Sequence, residues 1–320
     1  MKVTSQRVAS EVDAKFIAEV ANQHELSVDS QSTLFSEQAA LDFMTGYIDQ
    51  SVTYLLGVED QPDFSVVVNL HPDSVRSRYF TDVYAKPEIT NLDSVVGWAI
   101  ELAETEHPDW QMWPGANSLD ERLQSAWRNH GFEFLRRYYT MRMKISSAPA
   151  IRQVDGIEIR NLDISNPSEV ALWHKVHQDS FSQHFGFAPR DLEMWRALVL
   201  DDVFIDPEGV FMAFDKDVAV GFCQCTDEYS EDNKGYISSL GVARQYQGAG
   251  IGEALLQTGV SRCVTKGYES VELNVDTGNE SGALKLYEKV GFSPESSWIQ
   301  MHRPGSVSYT HLTLPTKRIV

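Results

Sequence analysis

A glycine-rich turn between two patterned segments constrains this chain more than any other feature. An apolar run, residues 236–242, leads into Gln247-Gly248-Ala249-Gly250-Ile251-Gly252, and apolar residues then recur at helical spacing. A turn that opens a helix presents free backbone N–H groups at the positive end of that helix. Glycine permits the close approach and the dihedral angles that a side chain would prevent. The segment therefore predicts a site for a pyrophosphate group.

Three kinds of glycine turn bind phosphate, and their spacing separates them. A Walker loop requires Lys followed by Ser or Thr, and neither pair follows the turn here. The dinucleotide fingerprint G-x-G-x-x-G is one residue longer than the spacing of Gly248, Gly250 and Gly252. The segment matches in full the Gln/Arg-x-x-Gly-x-Gly/Ala turn of the GNAT superfamily of acyl-CoA N-acyltransferases, which it therefore resembles.

A second block downstream carries the same resemblance. Asn279 precedes Ala283-Leu284-Lys285-Leu286-Tyr287-Glu288-Lys289-Val290-Gly291-Phe292, which is similar to the superfamily's Asn…Ala…Leu-Tyr-Glu-Lys-x-Gly-Phe block. The alternative is a plain strand–helix turn with Tyr287 as a core residue. That alternative requires two independent motifs to coincide by chance, in the right order.

The two halves of the sequence repeat one plan. Gly131-Phe132 lies 160 positions before Gly291-Phe292, and Met141 keeps the same offset from Met301. A sustained offset of this kind predicts two copies of one supersecondary unit.

The first copy has lost the phosphate-binding turn. Residues 83–92, which lie opposite the glycine turn in the repeat, contain no glycine, and Pro87 has no donor N–H group. Trp127 stands in place of Tyr287 and has no phenolic proton. We therefore expect a degenerate first copy without catalysis of its own. Tandem copies with such a first member also resemble mycothiol synthase and its relatives.

These features divide the chain into three parts. The resemblance implies an α/β fold with a mixed sheet, arranged as two tandem GNAT-like domains: a degenerate one at residues 1–148 and a catalytic one at residues 155–304. Residues 305–320 break the acidic composition and resemble translated vector sequence, so we exclude them as a non-native tail. Alternation and capping residues predict the elements of the second domain as strand 157–160, helices 166–179 and 189–198, hairpin 209–214 and 218–226, strand 235–242, the helix after the turn, strand 270–275, helix 281–290 and a closing strand near 297–302.

The resemblance implies acetyl-CoA as the co-substrate, held along one strand and the turn after it. The amides from Gln247 to Gly252 would bind its pyrophosphate, and Leu240 and Val242 would align its pantetheine like an added strand. The N–H group of Leu240 would polarise the thioester carbonyl. Tyr287 would protonate the departing thiolate, and Asn279 belongs to the same cofactor-binding set.

A base must deprotonate the acceptor amine. Glu231, with Glu228 and Asp232 beside it, lies between the predicted hairpin and the glycine-turn strand and is the candidate. One alternative is that this segment is a solvated acidic loop. Another is a water molecule oriented by Ser238 or Ser239.

The resemblance implies an acceptor pocket beside the first two helices of the second domain. Phe181, His184, Phe185 and Trp195 crowd this region and would bind an apolar or ring-bearing amine. The alternative for each of them is ordinary core packing.

The composition bounds the remaining classes of function. A formal net charge of −19 is unsuited to binding nucleic acid, and no apolar stretch reaches the ~18 residues of a membrane span. Cys223, Cys225 and Cys263 form no Cys-x-x-Cys pair, so we expect no metal site and no redox dithiol. The first residues lack the apolar region of a signal peptide, and the low cysteine count fits a reducing cytoplasm.

The leading hypothesis is an N-acetyltransferase that transfers an acetyl group from acetyl-CoA to a primary amine of a small molecule, by direct attack in a ternary complex. Two alternatives stay open: a non-catalytic acyl-CoA sensor, and an acetyltransferase acting on protein lysines or N-termini. Turnover separates the enzyme from the sensor. The sequence makes no prediction about the oligomeric state.

Overall fold

A computed structural model describes residues 2–45, 49–59, 61–200, 203–279 and 281–304. The predicted tail at 305–320 lies outside the described residues. Contacts along the chain group the residues into two units, one formed by Met1–Leu135 with the residues from Ile299 onward, the other by Arg136–Trp298. The boundaries 1–148 and 155–304 stay predictions about the sequence repeat.

The described residues contain twelve strands and eight helices. The strands are β1 Val3–Val8, β2 Val52–Val58, β3 Gln61–Asp73, β4 Arg78–Ala85, β5 Gln111–Asn117, β6 Glu133–Lys144, β7 Ile157–Asn161, β8 Ile205–Asp215, β9 Val218–Thr226, β10 Lys234–Val242, β11 Ser270–Asp276 and β12 Ser293–His302. The helices are α1 Ala14–Val28, α2 Glu37–Thr45, α3 Asp93–Glu106, α4 Glu121–Asn129, α5 Pro167–Phe181, α6 Leu192–Val199, α7 Ile251–Thr265 and α8 Ala283–Val290.

In the first unit, β1 to β5 form a mixed sheet in chain order. The pairs from β1 to β4 are antiparallel, and β4 runs parallel to β5. Alternate residues face opposite sides of a strand, so Val67 packs with α1 while Val66 and Val68 pack with α3 and α4. The sheet therefore separates two apolar cores.

In the second unit, the strands follow the order β6-β11-β10-β9-β8-β7, in which only β10 and β11 run parallel. Helices α7 and α8 pack on one face, where Leu255 and Tyr287 join Leu273 in an apolar core. Helix α5 packs on the other face, where Trp173 and Phe222 lie in a second core. The predicted α/β fold with a mixed sheet and two tandem units is confirmed.

The repeat is visible in matching helix ends. Gly131 ends α4 with φ 82° and Gly291 ends α8 with φ 117°. The amide of Phe132 donates to the carbonyl of Trp127 at 3.1 Å, and that of Phe292 donates to Tyr287 at 3.0 Å. The two copies thus share backbone geometry even where their side chains differ.

The predicted elements of the second half are all present, with shifted ends. Helix α6 begins at Leu192, later than predicted, because the side chain of Asp191 accepts the amide of Met194 at 2.8 Å and caps the helix there. The predicted cap of α5 at Asn166 is confirmed, since its side chain accepts the amide of Ser168 at 3.0 Å.

The final strand of the first repeat belongs to the second unit. Residues 138–144 of β6 pair with residues 270–276 of β11 over seven registered positions, from Tyr138 opposite Asp276 to Lys144 opposite Ser270. In turn, Ile299 and Met301 near the end of β12 lie in the core of the first unit. The sequence pattern did not indicate this exchange, because strand partners cannot be read from alternation.

Candidate functional site

Strands β10 and β11 separate in the middle of the second unit. Their parallel pairing covers only residues 234–236 and 270–272, although β10 continues to Val242. The pairing of β10 with β9 is irregular between Ile237 and Ser239, where a bulge bends the strand. Beyond Tyr236, β9 is the only strand that pairs with β10 among the described residues. One edge of β10 therefore lies open.

The backbone of Leu240 and Val242 faces this open edge. The amide of Ala243 donates to the carbonyl of Val220 on β9 at 2.8 Å. Because backbone groups alternate sides along an antiparallel strand, those of Leu240 and Val242 point away from β9. The side-chain amide of Gln247 donates to the carbonyl of Val242 at 3.0 Å, which agrees with this direction. The N–H groups of both residues remain directed toward the gap between the strands.

The glycine turn has the geometry that its sequence predicts. Gly248 and Gly250 have φ values of 80° and 92°, in the left-handed region that favours glycine. Within the described chain, the amides from Gly248 to Glu253 donate to no protein acceptor, and the first helical bond is from Ala254 to the carbonyl of Gly250 at 3.1 Å. These amides are thus free at the positive end of α7.

Gln247, the first residue of the predicted pyrophosphate site, has no free backbone amide. The amide of Gln247 already donates to the carbonyl of Arg244 at 3.2 Å, because residues 244–246 form a turn of 3₁₀ helix. Its backbone is therefore engaged, and its side chain holds Val242. In this structure Gln247 shapes the turn, while free donors begin at Gly248.

Sequence reasoning missed an arginine that covers the turn. A methyl group built on Gly250 would lie 2.4 Å from Nε of Arg152. Arg152 pairs with Glu253 at 2.8 Å, and Lys289 pairs with the same carboxylate at 2.7 Å. Lys289 and then Arg152 lower the pKa of Glu253, so the group stays ionised. No motif signals Arg152, since it precedes β7 in the chain, far from the turn.

Tyr287 lies beside the open strand. It is 8% exposed and shares an apolar core with Cys223, and Leu240 packs against that core. Cys223 is the register partner of Leu240 on β9. Burial, followed by the nearby Cys223, raises the pKa of Tyr287, so the phenol stays protonated at neutral pH. Its hydroxyl bonds to none of the described residues.

Three of the predicted pocket and cofactor residues meet on the face of the sheet that α5 covers. The ring of Phe181 lies 4.4 Å from that of His184, and Nδ2 of Asn279 lies 3.4 Å from Nε2 of His184. Burial lowers the pKa of His184, and it lowers the pKa of neighbouring His177 to about 4. Both imidazoles are therefore neutral at pH 7. The side chain of Asn279 also accepts the amide of Ser281 at 2.9 Å and fixes the approach to α8.

The other two predicted pocket residues occupy different surroundings. Phe185 is 41% exposed, with the guanidinium carbon of Arg136 at 4.1 Å from its ring centre. Trp195 has no exposed surface and packs edge-on against Trp173 at 4.8 Å. Trp195 therefore packs against α5 in the core and does not line an open pocket in this conformation.

A polar row on the same sheet face was not predicted. Asn274 donates to the hydroxyl of Tyr236 at 3.0 Å and accepts the hydroxyl of Thr140 at 2.9 Å. Its neighbour Leu273 faces the α7 core, so Asn274 points to the α5 side. Thr140 belongs to β6 from the first half of the sequence, which is why reading the second domain alone does not find it.

The position of Glu231 does not support its predicted role as the base. Glu231 is exposed and lies just before β10, whereas Leu240 lies near the other end of that strand. Leu240 lies six residue steps along the strand from Lys234, which corresponds to about 20 Å. Ser238 donates to the carbonyl of Gln224 at 3.4 Å and lies at the bulge, much closer to the gap. An acidic residue that follows a hairpin in sequence is not thereby close to the acceptor.

The three cysteines are buried thiols between β9 and α7. A methyl group on Gly259 of α7 would lie 2.7 Å from Sγ of Cys223, which shows how tightly they pack. Within the described ranges, no group of three or more His, Cys, Asp or Glu side chains could hold a metal ion. No described helix is both long enough and apolar enough to span a bilayer.

Comparison with known proteins agrees with this geometry. Residues 171–292 match the model of the acetyltransferase (GNAT) family. A mycothiol acetyltransferase of Mycobacteroides abscessus is 30% identical over 185 residues, which cover 56% of this chain and 58% of the relative. One of Mycobacterium sp. (strain JLS) is 26% identical over 247 residues, covering 73% of this chain and 79% of that protein. The match to the first relative thus spans less than two thirds of its length.

Solved structures share the fold of the whole chain. A GCN5-related N-acetyltransferase from Sphaerobacter thermophilus superposes with a TM-score of 0.78 at 22% identity, covering 94% of this chain and 96% of that one. A tandem GNAT protein from the clavulanic acid biosynthesis pathway gives 0.67 at 11% identity, covering 93% and 97%. At these identities the likeness concerns the fold alone.

Proposed function

We propose that the protein transfers an acetyl group from acetyl-CoA to a primary amine of a small molecule, because residues 171–292 match the model of the acetyltransferase (GNAT) family. The observation that carries the proposal is the set of free amides from Gly248 to Glu253, which continues from the open edge of β10. A diphosphate requires donors without competing partners, and the thioester arm requires an unpaired strand edge.

In this proposal, each part of the cleft has one task. The turn amides bind the diphosphate, and Arg152 adds a positive charge above Gly250. The amides of Leu240 and Val242 align the pantetheine arm, and that of Leu240 donates to the thioester carbonyl as negative charge develops there. Asn279 anchors the loop that leads to Tyr287.

The transfer step needs a neutral amine and a proton for the leaving group. The amine nitrogen attacks the carbonyl carbon, the carbon–sulfur bond breaks, and the thiolate takes a proton. Tyr287 is the donor, since its raised pKa keeps the phenol protonated. The imidazole of His184 accepts the proton that the amine loses, because burial lowers its pKa and keeps it neutral at pH 7.

The acceptor is a small amine that lies against the α5 face of the sheet. Phe181 and His184 supply an aromatic wall, and Asn274 with Tyr236 supplies hydrogen-bonding groups. Apolar walls with a few placed polar groups are typical of small-molecule pockets.

The proposal is tested by measuring free thiol released from acetyl-CoA in the presence of a panel of amines and amino-sugars. We expect release that requires both substrates and saturates in each. CoA binding without release from any amine would instead favour an acyl-CoA sensor. Release only with peptides would favour a protein acetyltransferase.

A further inference from the structure

A row of polar side chains crosses the first unit on the face that α1 covers. Thr53 on β2 is the register partner of Asn69 on β3, and Asn69 is the partner of Asp82 on β4. Register partners project side by side, with Cβ atoms about 5 Å apart. Val67, two residues before Asn69, lies in the apolar core under α1. The Thr53–Asn69–Asp82 row thus borders a core and needs hydrogen-bond partners to be stable.

Each member of this row has an oxygen atom without a donor. The hydroxyl of Thr53, which is 3% exposed, has no partner within the described chain. Asn69 is fully buried, and its amide nitrogen donates to the carbonyl of Phe43 at 2.7 Å, which leaves Oδ1 unpaired. The Asp82 carboxylate lies 3.7 Å from Nε2 of His71, beyond hydrogen-bond distance.

The row also lacks positive charge. Burial, followed by the charge of Glu25 on α1, raises the pKa of Asp82 to about 7. His71 does not neutralise Asp82, since burial lowers its pKa to about 4. Glu25 accepts only the neutral amide of Asn117 at 3.0 Å in the described chain. Two carboxylates therefore share this region without a cation.

Phe43 packs against two rings on the same face of the sheet, and Asp82 is the partly exposed member of the row. The ring of Phe43 lies 5.6 Å from that of His71 and 5.8 Å from that of Tyr84. The side chain of Asp82 is 20% exposed, so a solute can reach its carboxylate. A ligand that complements this set of groups would supply hydrogen-bond donors, a positive charge and an apolar substituent.

We infer that the Thr53–Asn69–Asp82 row binds a small organic ammonium ion through its N–H donors, with the apolar substituent packed on Phe43. An ammonium group carries three donors and no acceptor, which complements a row of unpaired oxygen atoms. The inference concerns the degenerate unit and goes beyond the transfer reaction proposed for the second unit.

The test is calorimetric titration of the full chain with benzylamine at pH 8, where Asp82 is ionised. We expect saturable binding that Asp82→Asn weakens at least tenfold, since a hydrogen bond to a charged group is lost. Benzyl alcohol, which has the same ring without the charge, should bind at least tenfold more weakly. Glu101→Gln, an exposed carboxylate on the α3 side, should leave the affinity unchanged.

Two further measurements separate a binding site from an ordinary structural row. Without ligand, Asp82→Asn should raise the melting temperature, because it removes a buried carboxylate that has no partner; a structural role would lower it. Thr53→Val keeps the shape and should weaken benzylamine binding a few-fold. Absence of saturable binding, equal binding of benzyl alcohol, or an unchanged Asp82→Asn affinity would each overturn the inference. None of these outcomes bears on acetyl transfer, which is measured separately.

Discussion

The two strand–helix connections occupy the same place in the repeat and differ in how the backbone turns. In the first unit, no residue from 86 to 92 has a positive φ; the amide of Ile89 donates to the carbonyl of Lys86 at 3.0 Å, and the side chain of Asn91 accepts the amide of Asp93 at 2.9 Å. Arg122 then donates to the carbonyl of Ile89 at 2.9 Å. In the second unit, Gly248 and Gly250 turn the chain so that the following amides stay free.

One supersecondary plan thus accommodates two different connections between strand and helix. The connection in the first unit buries Ile89 completely and ends with the side chain of Asn91 bonded to the amide of Asp93. The glycine turn leaves donors unpaired and stays competent to bind. The helix ends at Gly131 and Gly291 keep the same left-handed conformation, although the two connections differ.

Blocking the glycine turn should have the largest effect. Gly250→Asp places a side chain at a positive φ, against Nε of Arg152, and adds negative charge beside a diphosphate. We expect calorimetry to detect no CoA binding. Gly248→Ala is the matched control, because open space surrounds Gly248 and only the backbone cost remains. Normal CoA affinity in Gly250→Asp would remove the turn from the site.

Substituting Tyr287, or its counterpart Trp127 in the first unit, should have the next largest effect. Tyr287→Phe should leave CoA affinity intact and lower kcat by about 10²–10⁴-fold if the phenol protonates the thiolate. Trp127→Phe changes the corresponding residue of the first unit, which is fully buried, and should lower stability without altering kcat per folded molecule. Unchanged turnover in Tyr287→Phe would refute the donor role.

Substituting Arg152 and Arg122, the arginines near the two connections, should give a smaller difference in CoA affinity. Arg152→Ala should weaken CoA binding by about tenfold, with less effect at high salt, because its charge is partly exposed and screened. Arg122→Ala should leave CoA affinity unchanged and lower the melting temperature, since it frees the carbonyl of Ile89. Equal CoA affinities in both variants would mean that Arg152 only closes the unliganded turn.

The smallest effect is a pH dependence that only the first unit should produce. The pKa of Asp82 is raised to about 7 in the folded chain, against about 3.9 in an unfolded one, so the folded state binds the extra proton between these values. Stability should therefore fall as the pH rises from about 4 to 7. Denaturant unfolding at several pH values measures this slope, which Asp82→Asn should flatten. A slope unchanged by that substitution would assign it to other groups.

Local features could be predicted from the sequence, while partners distant in the chain could not. The turn, the strand before it and the cap at Asn166 follow from short-range patterns, and the structure reproduces them. The role of Glu231 stays a prediction, because closeness in sequence to β10 does not specify which end of the strand faces the ligand. Arg152 and Thr140 were missed because each reaches the cleft from a distant segment, and alternation does not specify which strands pair.

The second unit contains a strand from the first half of the sequence. A shortened gene that began after residue 148 would omit the strand whose residues 138–144 pair with β11. The backbone of Ser270–Asp276 would then be left as a bare edge, able to recruit a strand from another molecule. The first half of the sequence therefore completes the sheet of the second unit, and such a truncation is expected to aggregate.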